Sequence, residues 1–339
     1  MAGSDRPIFV LGCPRSGTTL VQVMLHSHPR IAVPPENRFL IPAYRQRLRF
    51  GNLEEPANRR AVAEFILRRR KRFRDLGLDR QETIDRIVAG PPTLGSAIGS
   101  VLQAYAERFD RPRWGDKRPH YTHFIDALMR LFPDAQIVNV IRDPRDCVAS
   151  LKRMPWWKRS SYYAVSAWAD AIDHVGRASR RWPGVVVPLR YERLTADPES
   201  ELRALCAALG EDYEPAMAEP ERVADVAVPE RKHWHSRTRV GPTTERIGRW
   251  REGLEPWEVA LCETVLAERM TGLGYELTGS TRPRAEHLLR YARVRAERKL
   301  RHRAWTLKDV WLRRREPNPV AALLTSGQRA SAGRQEVVQ

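Results

Sequence analysis

Residues 12–19 near the start of the chain, G-C-P-R-S-G-T-T, have the composition of an anion-binding loop. Glycines allow the backbone to wrap closely around a ligand, so that several N–H groups point at one centre. The spacing of Gly12 and Gly17 matches the phosphate-binding P-loop, G-x-x-x-x-G-K-[ST]. Thr18 stands where that motif has lysine, and Arg15 is the only cation within the loop. The loop predicts a site for a group less charged than a triphosphate; the alternative is an ordinary strand-to-helix turn.

A second candidate anion site follows the apolar run Ala135–Ile141. Arg142 comes directly after this run, and Ser150 lies about two helical turns further on, because Pro144 suits the first turn of a helix. Open α/β sheets bind ligands at the carboxyl ends of their strands. An arginine and a serine that converge there predict a second phosphate-binding point.

Glu36 and Arg38 follow a proline-rich segment, His28–Pro35, that cannot continue the first helix. This order places both side chains near the mouth of the glycine-bearing loop. For an isolated glutamate, a solvated loop carboxylate is the simpler interpretation. The residues alone therefore leave the role of Glu36 open.

These residues must be positioned by alternating strands and helices. Apolar runs predict buried strands at Ile8–Leu11, Ala135–Ile141 and Val185–Leu189, a short strand at Ile31–Val33, and a short strand or loop near Trp114. Helical patterns include Tyr121–Leu131 and Trp156–Arg181. The alternation predicts an α/β, three-layer, P-loop-like fold in which helices flank a mostly parallel sheet.

Composition limits the environment and the partners of the chain. The 339 residues carry 59 Lys and Arg and a formal net charge of +18, which favours anionic partners, although an arginine-rich genome has the same effect. Four cysteines lack any C-x-x-C pair, so we expect a reducing compartment without disulfides or a zinc site. No apolar leader or membrane-length run is present, and the predicted location is cytoplasmic.

The character of the chain changes after the predicted domain, residues 1–280. Residues 281–325 form a predicted basic amphipathic helical extension, and residues 326–339 a predicted disordered tail. The apolar stripe of this helix consists of Leu288, Leu289, Ala292, Ala296, Leu300, Ala304, Leu307 and Trp311. We expect it to pack on the domain or on a second subunit; peripheral contact with an anionic membrane is the alternative.

Taken together, the motifs resemble the PAPS-dependent sulfotransferases, which use 3′-phosphoadenosine 5′-phosphosulfate (PAPS). G-C-P-R-S-G-T-T-L resembles the 5′-phosphosulfate loop of that family, I-R-D-P-R-D-C-V-A-S-L its 3′-phosphate segment, and R-Y-E-R-L its later strand-to-turn element. The resemblance spans residues 7–275 and is nearest to soluble bacterial relatives of the branch with arginine in its loop. The tyrosylprotein sulfotransferases belong to that branch, but a protein-tyrosine acceptor is not implied.

The resemblance implies roles for individual residues. It implies that the 5′-phosphosulfate is bound by Arg15, Ser16, Gly17, Thr18 and Thr19, and the 3′-phosphate by Arg142 and Ser150. It also implies that Tyr191 contacts the adenine and that Arg246 and Arg249 belong to a segment that covers the cofactor. Glu36 matches the catalytic base of the E-T-R motif of the tyrosylprotein enzymes. Lys117 matches the lysine of the K-T-H motif in cytosolic enzymes, and His120, one place from the histidine of that motif, is the alternative base.

The predicted function is transfer of a sulfuryl group from PAPS to a hydroxyl acceptor by in-line displacement. Glu36 would take the acceptor's proton, while Arg15 and Lys117 would stabilise the leaving phosphate. The acceptor is a carbohydrate, lipid, phenol or other small molecule, and no metal or nucleic acid is expected. Arg38, the arginine-rich helix near Arg70, and Trp156-Trp157 are candidate acceptor contacts. The alternatives are an ATP-dependent phosphotransferase and a non-catalytic nucleic-acid-binding protein; the oligomeric state is left open.

Overall fold

A single parallel sheet organises the chain. The computed structural model describes residues 3–68, 70–223, 241–279 and 282–323. Its strands are β1 (Ile8–Gly12), β2 (Ile31–Ala32), β3 (Arg113–Lys117), β4 (Gln136–Ile141) and β5 (Val186–Arg190). They are arranged in the order β2-β3-β1-β4-β5, and every pair is parallel. The central strand β1 is completely buried, as its continuous apolar run predicts.

Helices cover both faces of this sheet. Their bounds are α1 (Thr18–His26), α2 (Leu40–Arg45), α3 (Pro56–Leu67), α4 (Arg70–Arg74), α5 (Arg80–Ala89), α6 (Leu94–Glu107), α7 (Ile125–Leu131), α8 (Pro144–Lys152), α9 (Ser161–Arg181), α10 (Tyr191–Ala196), α11 (Pro198–Leu209), α12 (Trp250–Gly253), α13 (Pro256–Gly272) and α14 (Ala285–Arg313). The predicted fold class, α/β with a parallel sheet between helical layers, is confirmed.

Three local predictions need correction or sharpening. The segment left open between strand and loop is strand β3, which pairs with both β1 and β2. The predicted helix Tyr121–Leu131 is divided, because Pro119–His123 forms a 3-10 turn before α7 begins. Strand β5 is a half-exposed edge strand rather than a buried one. Its Pro188 has no N–H group for a further neighbour, which suits an edge position.

The predicted functional residues that follow the strands lie at one edge of the sheet. The residues that end or follow the five strands are, in chain order, the loop 12–19, Glu36, Lys117, Arg142 and Tyr191. Because the strands are parallel, their carboxyl ends meet at the same edge, which is where open α/β sheets bind ligands. Residues far apart in the sequence are therefore brought together by the strand order alone.

The C-terminal helix α14 docks on the domain through ion pairs. Arg295 contacts Asp173 at 3.0 Å, and Arg298 contacts Asp170 at 2.7 Å, both carboxylates lying on α9. Near the end of α14, buried Asp309 pairs with buried Arg47 at 2.8 Å. Of the predicted stripe, Leu288 packs against the domain core, whereas Leu289, Leu300, Leu307 and Trp311 are exposed. The polar contacts hold the side of the helix opposite these exposed residues, so packing of the stripe on the domain is limited to its first residue. The predicted tail, residues 326–339, lies outside the described residues.

Candidate active site

The loop between β1 and α1 has the geometry of an anion cradle. Gly17 precedes α1 with a φ of 102°, and a Cβ atom there would lie 2.4 Å from the Tyr191 ring. Arg15 also has a positive φ, 73°, a conformation that costs energy for a residue with a side chain. The first turn of α1 contains no acidic residue, so its N–H groups and positive dipole face the loop unopposed.

Three guanidinium groups lie together beside this loop. Arg142 donates hydrogen bonds to the carbonyls of Arg15 (3.2 Å) and Arg246 (2.6 Å), and Arg15 donates to the Ser150 hydroxyl at 3.0 Å. Burial, followed by the neighbouring charges of Arg142 and Arg246, lowers the pKa of Arg15 to about 10. Repulsion of this kind stabilises a bound anion, because an anion relieves it. The Arg142 guanidinium also stacks 4.3 Å above the Tyr191 ring.

Two buried polar atoms at the loop have no hydrogen-bond partner within the described residues: the Ser16 hydroxyl and Nε of Arg142. Leaving buried donors unpaired costs about 1–3 kcal/mol each. Of the two, Arg142 lines the cavity, where an acceptor oxygen of a phosphate or sulfate group would satisfy its Nε. This donor therefore fits an oxyanion such as the predicted donor substrate.

A second group of charged residues surrounds Glu36. Its carboxylate lies 2.6 Å from Nε of Arg38 and 3.8 Å from the ammonium group of Lys117. Lys117, which is 2% exposed, also donates to the Thr19 hydroxyl at 3.3 Å. Burial lowers the pKa of Lys117, and the Glu36 carboxylate opposes that shift. Lys117 thus connects the Glu36 carboxylate to Thr19 of the glycine-bearing loop, and the two halves of the candidate site are continuous.

Buried Asp116 supports the Glu36–Lys117 pair through hydrogen bonds to neighbouring groups. Its carboxylate accepts hydrogen bonds from the Asn37 amide (3.0 Å), the Lys117 backbone N–H (2.9 Å) and the Tyr121 hydroxyl. Complete burial raises the pKa of Asp116 to about 6, while the hydrogen bonds from Tyr121 and from the Lys117 backbone oppose the rise. The Asp116 carboxylate therefore contacts the side chain next to Glu36 and the backbone of Lys117. Asp116 was not predicted as part of the site, although a carboxylate inside a buried strand must have partners.

We expect Asp116→Asn to lower the free energy of unfolding by about 2 kcal/mol, because an amide has one acceptor oxygen and Asp116 serves three donors. Denaturant titration measures this change. If Asp116 positions Glu36, kcat should fall as well, while KM for the donor changes little. Asp85 is exposed on the surface, so Asp85→Asn serves as the control. An Asp116→Asn variant with unchanged kcat and stability would contradict the positioning role.

These groups line one cavity of about 570 Å³. Among the predicted site residues it is lined by Arg15, Gly17, Thr18, Thr19, Glu36, Lys117, His120, Arg142, Ser150, Tyr191 and Arg246. Ser16 is buried beneath the loop and does not face the cavity. Arg249 does not line it either: its guanidinium contacts the Glu245 carbonyl and lies 3.6 Å from Glu252. The structure thus brings eleven of the thirteen predicted residues together.

The cavity also has a cationic region beyond the loop. It is formed by Arg38, Arg72, Arg118 and Arg153, with Trp156 beside them. Arg38 adopts a positive φ of 67°, which directs its chain back towards Glu36. The sequence suggested Arg38 and Trp156 as acceptor contacts, and both line the cavity. Arg118 and Arg153 were not predicted, because a single surface arginine has no distinctive pattern.

The chain therefore has a P-loop-like α/β sheet, a lysine-free loop after its central strand, and a glutamate–lysine pair at the same edge. The model of the sulfotransferase family matches residues 7–215, more than half of the chain. The chain belongs to the sulfotransferase family, which confirms the family and the enzyme class predicted from its motifs.

Three similar proteins come from two bacteria and a fish. Nodulation protein NoeE of Sinorhizobium fredii (strain NBRC 101917 / NGR234) is 30% identical over 238 residues, covering 61% of this chain and 50% of that protein. Protein-tyrosine sulfotransferase 1 of Danio rerio is 25% identical over 284 residues, covering 80% of this chain and 73% of that protein. An uncharacterized protein of Aquifex aeolicus (strain VF5) is 28% identical over 216 residues, which are 60% of this chain. The chain covers 25% of that protein, so it spans half or less of these two bacterial relatives.

Two solved structures share the fold. The sulfotransferase domain from the curacin biosynthetic pathway has a TM-score of 0.56 and 21% identity, covering 81% of this chain and all of that domain. The sulfotransferase domain from the Synechococcus PCC 7002 olefin synthase has a TM-score of 0.55 and 23% identity, covering 82% of this chain and 97% of that domain. At these identities, both similarities show a shared fold only.

Proposed function

We propose that this chain transfers the sulfuryl group of PAPS to a hydroxyl acceptor, with Glu36 as the general base. One observation carries the proposal: a single cavity joins the lysine-free loop and its three guanidiniums to the Glu36–Lys117 pair. The loop and the arginines suit a donor with two separate anionic ends. The carboxylate beside them suits removal of a proton from an attacking hydroxyl.

The charge of the transferred group explains why Thr18 is acceptable. A P-loop lysine serves the outer phosphates of a nucleoside triphosphate, together with Mg²⁺. A sulfuryl group carries less negative charge, so this chain can dispense with both; cations are supplied instead by Arg15 and Lys117. Ser150 and Arg142 would bind the 3′-phosphate, and the Tyr191 ring would contact the adenine.

Each protein group has one task in the proposed reaction. The acceptor oxygen forms a bond to sulfur while the bond from sulfur to the bridging phosphate oxygen breaks, and the acceptor's proton passes to Glu36. The products are a sulfate ester and adenosine 3′,5′-bisphosphate. Lys117 and the loop N–H groups stabilise the charge that grows on the leaving phosphate, and such electrostatic stabilisation often contributes more to catalysis than any other effect.

His120 is the alternative base, since it also lines the cavity. Desolvation by the surrounding residues and then the nearby Arg118 charge lower the pKa of His120 to about 4. A glutamate ordinarily has a pKa of about 4.3, so base strength does not separate the two candidates. Glu36 is favoured by its position: it contacts Lys117 directly, whereas His120 lies among other aromatic rings.

The acceptor class remains a carbohydrate, lipid, phenol or other small molecule that carries a hydroxyl. A cytoplasmic location is supported by the four cysteines, all of which are buried free thiols. Among the described residues, no helix is both long enough and apolar enough to span a membrane.

The direct test is an acceptor screen with isotopically labelled PAPS, in which mass spectrometry detects the transferred sulfuryl group. The proposal predicts labelled product with PAPS and none with labelled ATP and Mg²⁺. Phosphorylated product from ATP, with no sulfated product in the screen, would favour the phosphotransferase alternative.

We expect Arg142→Ala to weaken adenosine 3′,5′-bisphosphate binding by about 10- to 100-fold, the effect of losing charge-assisted hydrogen bonds. Affinity for the analogue without the 3′-phosphate should change by less than about threefold, because that analogue never uses the contact. Calorimetric titration measures both affinities. Arg249→Ala is the matched control, since its guanidinium lies outside the cavity. Equal losses for the two nucleotides in Arg142→Ala would rule out the 3′-phosphate role.

A further inference from the structure

Helix α14 exposes an apolar stripe to solvent. Its members and their exposed fractions are Leu289 (71%), Leu300 (63%), Leu307 (71%), Val310 (43%) and Trp311 (48%). Leu289, Leu300, Leu307 and Trp311 are separated by eleven, seven and four residues, which are about three, two and one turns of helix. They therefore lie on one side of the helix, along a line of about 33 Å.

The opposite side of α14 is already occupied. Tyr291, Asp309 and Leu312 are the buried residues of the helix, and Arg295 and Arg298 form its ion pairs with α9. These residues lie about half a turn away from the leucine line. Further on, the Ala322 backbone N–H donates to the Leu131 carbonyl at 2.7 Å, which holds the chain that leaves the helix against the domain. The helix is thus fixed along the domain surface with its apolar stripe outward.

Cations flank the exposed stripe. Helix α14 contains nine Lys and Arg against three Asp and Glu, and one of those acids, Asp309, is buried against the domain. Exposed cations on the outer side include Arg290, Arg293, Lys299, Arg301, Arg303 and Lys308. Glu297 pairs with Arg293 and Arg301, so part of this charge is neutralised, but the outer side remains strongly basic.

This charge pattern decides between two occupants of the stripe. If a second copy covered it through a twofold interface, each basic flank would face another basic flank, and like charges repel. Anionic lipid headgroups complement the flanks, while the leucines and Trp311 enter the boundary between headgroups and acyl chains. An interfacial helix has this combination of apolar and basic faces.

We propose that α14 is a peripheral membrane-binding helix that lies in the plane of an anionic bilayer surface, with Leu300 and Leu307 inserted. This inference does not depend on the donor or the base of the proposed reaction, because every residue it uses lies outside the catalytic cavity. Its failure would leave the proposed function unaffected.

Vesicle co-sedimentation of the full chain tests the proposal. We expect binding to vesicles that contain phosphatidylglycerol, weak binding to pure phosphatidylcholine, and weaker binding at high salt. The double variant Leu300→Glu/Leu307→Glu should reduce partitioning onto the anionic vesicles by about 100-fold or more, because both side chains lose an apolar environment. Leu277→Glu/Leu323→Glu is the matched control, since these two leucines are exposed elsewhere, and it should bind like the parent chain.

Light scattering of the same proteins without lipid tests the alternative, in which a second copy of the chain covers the stripe. The proposal predicts that the double variant has the same molar mass as the parent chain. A parent dimer that Leu300→Glu/Leu307→Glu converts to a monomer would show that the stripe is a subunit interface and would overturn the proposal. Absence of binding to anionic vesicles by the parent chain would overturn it as well.

Discussion

Glu36→Gln is expected to lower the rate of sulfuryl transfer by about 10²- to 10⁴-fold, the usual contribution of a general base. Glutamine keeps the size of the side chain and an oxygen that can accept from Arg38, which lies 2.6 Å from the carboxylate. It cannot take a proton from an acceptor hydroxyl. The loss should appear in kcat, measured at saturating PAPS and acceptor.

Two controls make this result specific to the base. Affinity for adenosine 3′,5′-bisphosphate should change by less than about threefold in Glu36→Gln, because the Arg15–Arg142 region stays intact. His120→Ala removes the alternative base and should retain most of its activity. A fully active Glu36→Gln together with an inactive His120→Ala would reverse the assignment.

Lys117→Met is expected to reduce kcat by about 10²- to 10³-fold, comparable to the loss of one donor in an oxyanion hole. Methionine is similar to lysine in shape but carries no charge, so the leaving phosphate would lose its nearest ammonium group. The free energy of unfolding should fall, because removing one partner of a buried ion pair leaves the other charge without that compensation. The Glu36 carboxylate, 3.8 Å from the Lys117 ammonium, keeps Arg38 as a second partner, which limits the loss. Steady-state kinetics and thermal unfolding of one preparation measure both effects.

Lys152→Met is the matched control for this variant. Lys152 is exposed and pairs with Glu258 at 2.5 Å, outside the cavity. Removing its charge should leave kcat within about twofold of the parent enzyme. A Lys117→Met enzyme with parental kcat would show that the leaving group does not depend on this ammonium.

The sequence predicted the edge of the sheet where the site lies better than it predicted how the site is held together. Arg15 and Arg142 were found because each follows an apolar strand, and parallel strands bring such residues to one edge. Tyr191 was assigned by family resemblance. Glu36 follows a strand of two residues, too short to be distinctive, and its assignment depended on family resemblance.

The supporting contacts were not predictable from local patterns. Asp116 joins Asn37, 79 residues away, and Arg142 is held by the carbonyl of Arg246, 104 residues away. Contacts of this range depend on tertiary packing rather than on local residue preferences. Helix α14 shows the same limit: its stripe was predicted correctly as apolar, but long-range ion pairs decided which side faced the domain.

Calorimetric titration with adenosine 3′,5′-bisphosphate tests the central claim, the identity of the donor, most directly because it needs no acceptor. We predict that this nucleotide binds without Mg²⁺. It should bind about 10- to 100-fold more tightly than its 3′-dephospho analogue, as expected for one charge-assisted contact. Tight binding of Mg-ATP with no detectable binding of the bisphosphate would contradict the proposed donor.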